Sequence, residues 1–184
     1  MVLLTDGKMC EKLMAHSKGL KHYALSVLIF NDRGELLLQK RAKEKYHSGD
    51  LWTNACCTHP LSTDIQQIQD MAAKRLNYEM SLNCELEYVF SFSYQMKCDY
   101  LIENEYDFVF IGKTNAEPVI NLKEVSDYKW EHPEHIYKDI KQFPHHYTSW
   151  FHLLFEQWNI YRATEKADAA KKAILITCFY YNGN

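Results

Sequence analysis

Glycine and proline are scarce in this 184-residue chain, at six and four residues, and no linker, low-complexity tract or internal repeat divides it. A solenoid, a collagen-like rod and a string of small modules are thereby excluded. One domain over residues 1–184 is expected, long enough to bury most of its apolar surface without staples. The six cysteines (Cys10, Cys56, Cys57, Cys84, Cys98, Cys178) are too sparse for a disulfide-dense secreted scaffold. No apolar run approaches the ~20 residues that cross a bilayer. The short apolar start meets Asp6 and Lys8 too soon for a signal peptide. A large excess of charge is missing too. Lys+Arg number 21 and Asp+Glu 24, a net −3, which gives no reason to expect nucleic acid or a membrane as partner. Affinity for phosphate would have to come from a local basic cluster. The expectation is a cytoplasmic protein with free thiols, a monomer or weak homo-oligomer.

What is present is organised. Ala24–Phe30 is apolar and partly β-branched, stops at Asn31-Asp32-Arg33-Gly34, and resumes at Glu35–Gln39, the pattern of a hairpin. From Asp64 to Met80, apolar residues at 65, 68, 71, 72, 76 and 80 are spaced for a helix, with Thr63 or Asp64 as N-cap. Strands are expected at Glu85–Tyr94, Tyr106–Ile111 and Tyr128–Trp130, and a helix at Thr148–Arg162; Ala173–Tyr181 reads equally as more helix or an edge strand. Strands interrupted by a few helices imply an α/β (α+β) fold, a sheet packed between helices.

Trp52-Thr53-Asn54-Ala55-Cys56-Cys57-Thr58-His59-Pro60 has no helical or strand period and sets thiols beside an imidazole, groups that carry protons, attack carbon or bind metals. A lone cysteine is more often a small core hydrophobe; further groups change those odds. His16 and His22 flank the entry to the first strand, and Glu103-Asn104-Glu105 opens another with two carboxylates on one face. With His59, that nitrogen and oxygen mixture suits Mn²⁺ or Zn²⁺ better than Ca²⁺, although each residue alone reads as solvated surface. Lys40-Arg41, Lys43 and Lys45 are either a solvated charge run or a clamp for phosphate oxygens. Arg75 and Glu79, at i and i+4, are either a surface ion pair or a phosphate contact beside a hard-metal ligand. Trp150 reads most simply as core, though an indole face also holds cations.

Taken in order, His16, His22, Lys40-Arg41, Trp52-Thr53-Asn54, Cys57-Thr58-His59-Pro60, Arg75-x3-Glu79, Glu103-Asn104-Glu105 and Ser149-Trp150 resemble the type I isopentenyl-diphosphate Δ-isomerases of the Nudix superfamily, over roughly residues 8–160. The resemblance implies a Nudix-like mixed sheet and a prenyl diphosphate substrate. It implies His16, His22, His59, Glu103 and Glu105 as ligands of Mn²⁺ or Zn²⁺. Mg²⁺ on the diphosphate would be held by Glu79 and the main-chain carbonyl of Cys57. Cys57 and Glu105 would be the proton-moving pair, with Cys56 idle. Lys12, Arg41, Lys45 and Arg75 would contact the diphosphate, and Tyr94 and Trp150 would surround the prenyl tail. The chain departs from the Nudix hydrolases at Lys74–Ser81, where one carboxylate, Glu79, stands in place of several and Ser81 replaces a glycine. A pyrophosphohydrolase and a binding module without activity are the competing readings, the first weakened by those missing carboxylates and the second by the filled catalytic positions.

Overall fold

The computed structural model describes residues 1–181 apart from Tyr46 and Asp99, and only the backbone over 166–181. Its elements in chain order are β1 (Val2–Leu3), β2 (Met9–Cys10), α1 (Lys12–Lys18), β3 (His22–Phe30), β4 (Leu36–Arg41), β5 (Trp52–Thr53), β6 (Cys56–Thr58), α2 (Ile65–Met80), β7 (Leu86–Cys98), β8 (Leu101–Lys113), β9 (Val125–Glu131), α3 (Pro133–Gln142), a 3₁₀ turn (Pro144–His146) and α4 (Ser149–Tyr181). β1 and β2 form a small hairpin, and the other strands form one mixed sheet in the order β5-β4-β3-β8-β7, with β6 also on β3 and β9 on β4. The β3–β8 pairing is parallel, and β7–β8 is a long antiparallel hairpin.

A helix covers each face of this sheet. On one side, Ile68, Ala72, Leu76 and Met80 form a stripe along α2 and bury against Leu25, Val27 and Ile29 of β3 and Phe108 and Phe110 of β8. The Asp64 side chain caps α2 by accepting from the Gln67 amide at 3.0 Å. Ser81 closes it in the left-handed region, φ 52°, where glycine is the usual residue. On the other side, Phe151, Leu154, Phe155 and Trp158 of α4 pack on Leu28, Leu36, Leu38 and Val109. Among the described residues no helix is long and apolar enough to cross a membrane.

Several boundaries differ from expectation. Glu103-Asn104-Glu105 lies inside β8, because β7 and β8 run on past Tyr94 and before Tyr106 as one long hairpin. α1 and α3, which the sequence reading did not mark, are short helices: Glu11 caps the first and Gly19 ends it at φ 61°, and Pro133 opens the second. The backbone of α4 continues through Ala173–Tyr181.

Candidate active site

Cross-strand neighbours point to the same face of a sheet. His22 on β3 and Tyr94 on β7 both pair with Glu105 on β8, so the three stand in one row. The period of two adds Glu103 and Asp107 from β8 and Ala24 and Ser26 from β3. Farther along, the same face carries Leu28 and Val109 under α4. The face therefore changes from polar to apolar midway along β3 and β8. A cavity of about 140 Å³ opens there, lined by Lys12, Arg41, Arg75, Cys57, Glu105 and Trp150 among others. A larger groove of about 770 Å³ between α3 and α4 shares no lining residue with it and gathers none of these groups.

β6 separates the two thiols. Cys57 pairs with Ser26 and so joins the polar face, whereas Cys56 points into the α2 core and is fully buried. The Cys57 sulfur lies 3.1 Å from Asn54 Nδ2, 3.2 Å from Asn54 Oδ1 and 3.5 Å from Ser26 Oγ. Burial, reinforced by the Asp107 carboxyl, pushes this thiol up to about 12, so it carries its proton at neutral pH. Asn54 also donates to the carbonyls of Cys56 (2.8 Å) and Val27 (3.2 Å), which explains the motif: its amide ties the thiol loop to β3.

His16, His22, His59 and Glu105 present ligand atoms that all lie within 4.8 Å of one another. His16 Nδ1 is 2.7 Å from the Lys12 carbonyl and His22 Nδ1 is 2.8 Å from the Leu20 carbonyl. A carbonyl only accepts, so in each ring Nδ1 carries a hydrogen and Nε2 is the atom aimed inward. Those nitrogens face carboxylate oxygens, His16 towards Glu103 at 3.1 Å and His22 towards Glu105 at 3.3 Å, and, against the pull of burial, the Glu103 carboxylate helps raise the His16 imidazole above its ordinary value. The fully buried His22 Nε2 has no hydrogen-bond partner among the described residues. His59 Nε2 meets the same Glu105 oxygen at 3.0 Å, and burial pushes its imidazole down to about 4. Three imidazole nitrogens around a carboxylate are the donor set of a divalent transition ion, and the residues fit one. Glu103 touches His16 but stands outside the mutually close four. Tyr94, expected among the catalytic residues beside the prenyl tail, donates to the second Glu105 oxygen at 2.5 Å.

The basic residues are gathered but already engaged. Arg41 donates to the carbonyls of Ser48 (3.1 Å) and His47 (3.2 Å) and lies over the Trp150 ring at 5.1 Å. Arg75 bonds to Glu79 through Nε and to Glu124 through Nη2, and Lys45 bonds to the same Glu124. Buried Glu79 gives its other oxygen to Gln39 Nε2 at 2.8 Å, so both of its oxygens are occupied and it does not line the cavity. Lys45 and His22 also lie behind the lining. Trp150, 7% exposed, does line it, with an indole N–H that has no hydrogen-bond partner among the described residues. His47, Ser26, Asp107, Gln39, Glu124 and the contact of Asn54 with the thiol were not expected from the sequence. Asp107 had a local signal, since it continues the period of Glu103 and Glu105, and Asn54 had one in its place in Trp52-Thr53-Asn54.

Residues 20–151 match the profile of the NUDIX domain. Solved structures share the fold: a MutT protein from Methanosarcina mazei superposes with TM-score 0.59 at 17% identity, over 76% of this chain and 93% of that one. Within that class, the sequence is 48% identical to isopentenyl-diphosphate Delta-isomerase 2 of Photorhabdus laumondii over 74% of this chain and 76% of the relative. It is 38% identical to isopentenyl-diphosphate Delta-isomerase 2 of Aromatoleum aromaticum over 89% and 86%. The chain belongs to the isopentenyl-diphosphate Δ-isomerase family.

Proposed function

We propose that this chain interconverts isopentenyl and dimethylallyl diphosphate in isoprenoid synthesis, with Cys57 and Glu105 moving the two protons. The observation that carries this reading is that the Cys57 thiol and the Glu105 carboxylate open into one cavity beside the Trp150 indole. Shifting the double bond from the 3,4 to the 2,3 position adds a proton at C4 and removes one from C2, leaving the composition unchanged. An unactivated alkene is a weak base, so the intermediate is a tertiary cation at C3 that water would capture. The reaction needs an acid and a base held on either side of a dry carbon skeleton. Cys57 and Glu105 form that pair, one giving and the other taking, with the roles exchanged in the reverse direction. The face of Trp150 stabilises the cation where a water or a lysine could not. Tyr94 fixes Glu105 through its hydroxyl and walls the prenyl tail with its ring.

Lys12, Arg41, Lys45 and Arg75 clamp the diphosphate, which anchors the reacting carbons by binding energy away from the chemistry. Mg²⁺ on the diphosphate would be held by Glu79 and the Cys57 carbonyl; Glu79 frees an oxygen for it when Arg75 turns to phosphate. Mn²⁺ or Zn²⁺ would be held by His16, His22, His59 and Glu105 with Glu103 behind His16, and supplies the positive charge that keeps Glu105 oriented and ionised. Purified chain given isopentenyl diphosphate with Mg²⁺ and Mn²⁺ should equilibrate the two isomers and carry about one tightly held transition ion. Protein that does neither sinks the proposal.

A further inference from the structure

Two of the four cations expected to clamp the diphosphate, Lys45 and Arg75, share a single carboxylate. Glu124 Oε2 accepts from Lys45 Nζ and, at 2.7 Å, from Arg75 Nη2. These are not free surface groups, since the side chains of Glu124, Lys45 and Arg75 are 16%, 18% and 27% exposed. Burial pushes the Glu124 carboxyl up, but the Lys45 hydrogen bond and the Arg75 charge outweigh it and hold the group below its ordinary value. The backbone around Glu124 is fixed independently of its side chain. The Ala42 amide donates to its carbonyl at 2.9 Å, its own amide donates to Asn121 at 2.8 Å, and the Asn121 amide donates to the Glu79 carbonyl at 2.9 Å. The loop before β9 thus spans from the basic loop after β4 to the last turn of α2, with its carboxylate aimed between the two cations.

We propose that Glu124 is an internal counter-anion that occupies the Lys45–Arg75 cradle and yields it when a magnesium diphosphate binds. The inference rests on the reading of that cradle as the diphosphate site. Partly buried cations need anions, and Glu124 answers Lys45 and, beside Glu79, Arg75. A diphosphate offers more charge and more acceptor oxygens, including a bidentate match for the Arg75 fork. Its net affinity is nevertheless lowered by the contacts it must replace and by repulsion from a carboxylate held nearby. The same competition helps expel product, because substrate and product carry the same diphosphate. Glu124 is therefore a positioning residue that sets affinity without touching the reacting carbons.

The test is calorimetric titration of the full chain with inorganic pyrophosphate and Mg²⁺, beside steady-state kinetics. Glu124→Gln keeps the shape and removes the charge, and should tighten pyrophosphate about tenfold, the order expected from one charge-assisted hydrogen bond. KM and kcat for isopentenyl diphosphate should fall together as release slows. Glu124→Asp, too short to reach both cations from a fixed backbone, should tighten pyrophosphate by less, and it decides the matter alone if the first variant does not fold. Weaker or unchanged pyrophosphate binding in the variants, or a raised Mg²⁺ requirement, would overturn the proposal. So would a wild-type chain that isomerises but has no affinity for pyrophosphate. Tightening in a chain that does not isomerise would leave the counter-anion standing and remove the isomerase reading instead.

Discussion

Replacing Asn54 by leucine tests whether the Trp-Thr-Asn motif exists to hold the thiol. The side chain is fully buried, and its Nδ2 serves the carbonyls of Val27 and Cys56 and the Cys57 sulfur. Leucine keeps the branched skeleton, so the loss is mainly one of hydrogen bonds, with some overpacking from its bulkier methyls added to it. Two to three buried bonds at a net ~1 kcal/mol each put the cost at about 2–3 kcal/mol. For a domain of this length that is a fall in Tm of roughly 4–12 °C. The effect on turnover is separate. Cys57 loses its nearest partner, keeps only the longer contact to Ser26 at 3.5 Å, and is free to turn about χ1. A reacting atom misplaced by ~1 Å costs on the order of a hundredfold. At 25 °C, where the variant remains folded, kcat should drop by about that factor while KM stays within about threefold, because the cations proposed to clamp the diphosphate are untouched. Circular-dichroism melts with steady-state rates give both numbers. A kcat within about threefold of wild type in a variant melting several degrees lower would refute the reasoning, leaving Asn54 as a structural residue only.

Tyr94→Phe removes the hydroxyl on Glu105 and should lower kcat by about 5–10-fold, the difference between a hydrogen bond to a charged and to a neutral carboxyl; an unchanged kcat would assign Tyr94 to packing alone. A Cβ at Gly49 would collide with the Lys43 carbonyl oxygen. Gly49→Ala should therefore cost about 1–3 kcal/mol in a denaturant melt and raise KM by distorting the loop that carries Lys45 and His47. Stripping the chain with a strong chelator should lower Tm by roughly 5–10 °C, with recovery when Mn²⁺ or Zn²⁺ is returned at about a hundredfold excess over its dissociation constant. His22→Ala should melt at the same temperature with and without chelator, and a chelator effect that persists in it would place the ion elsewhere.

Local patterns exposed much of this fold. The β3–β4 hairpin followed from an apolar run broken at Asn31–Gly34, and α2 from a stripe at helical spacing behind Asp64. α1 escaped because seven residues give too few turns for a period to show, although Glu11 and Gly19 mark its ends. The position of Glu103-Asn104-Glu105 inside β8 escaped because polar and apolar residues alternate through Cys98 without a conventional turn signal. At the site, the candidate ligating and acid–base residue types were visible as an ordered set. Their partners were not. Glu124 lies 79 residues from Lys45 and 49 from Arg75, and Asp107 meets Ser26 across 81. Such contacts are made by strand register and loop path and leave no local period to read. Cys56 and Cys57 look alike in sequence; the pleat of β6 turns one into the core and the other into the cavity.

The most direct test of the account is therefore a comparison of Cys57→Ala with Cys56→Ala in the isomerisation of isopentenyl diphosphate, both proteins checked for fold and bound metal. The account predicts that Cys57→Ala retains the ion and the melting transition but loses turnover by at least about a thousandfold, while Cys56→Ala, at a modest packing cost, keeps kcat within a few-fold of wild type. Turnover that survives Cys57→Ala and disappears with folded Cys56→Ala would contradict it.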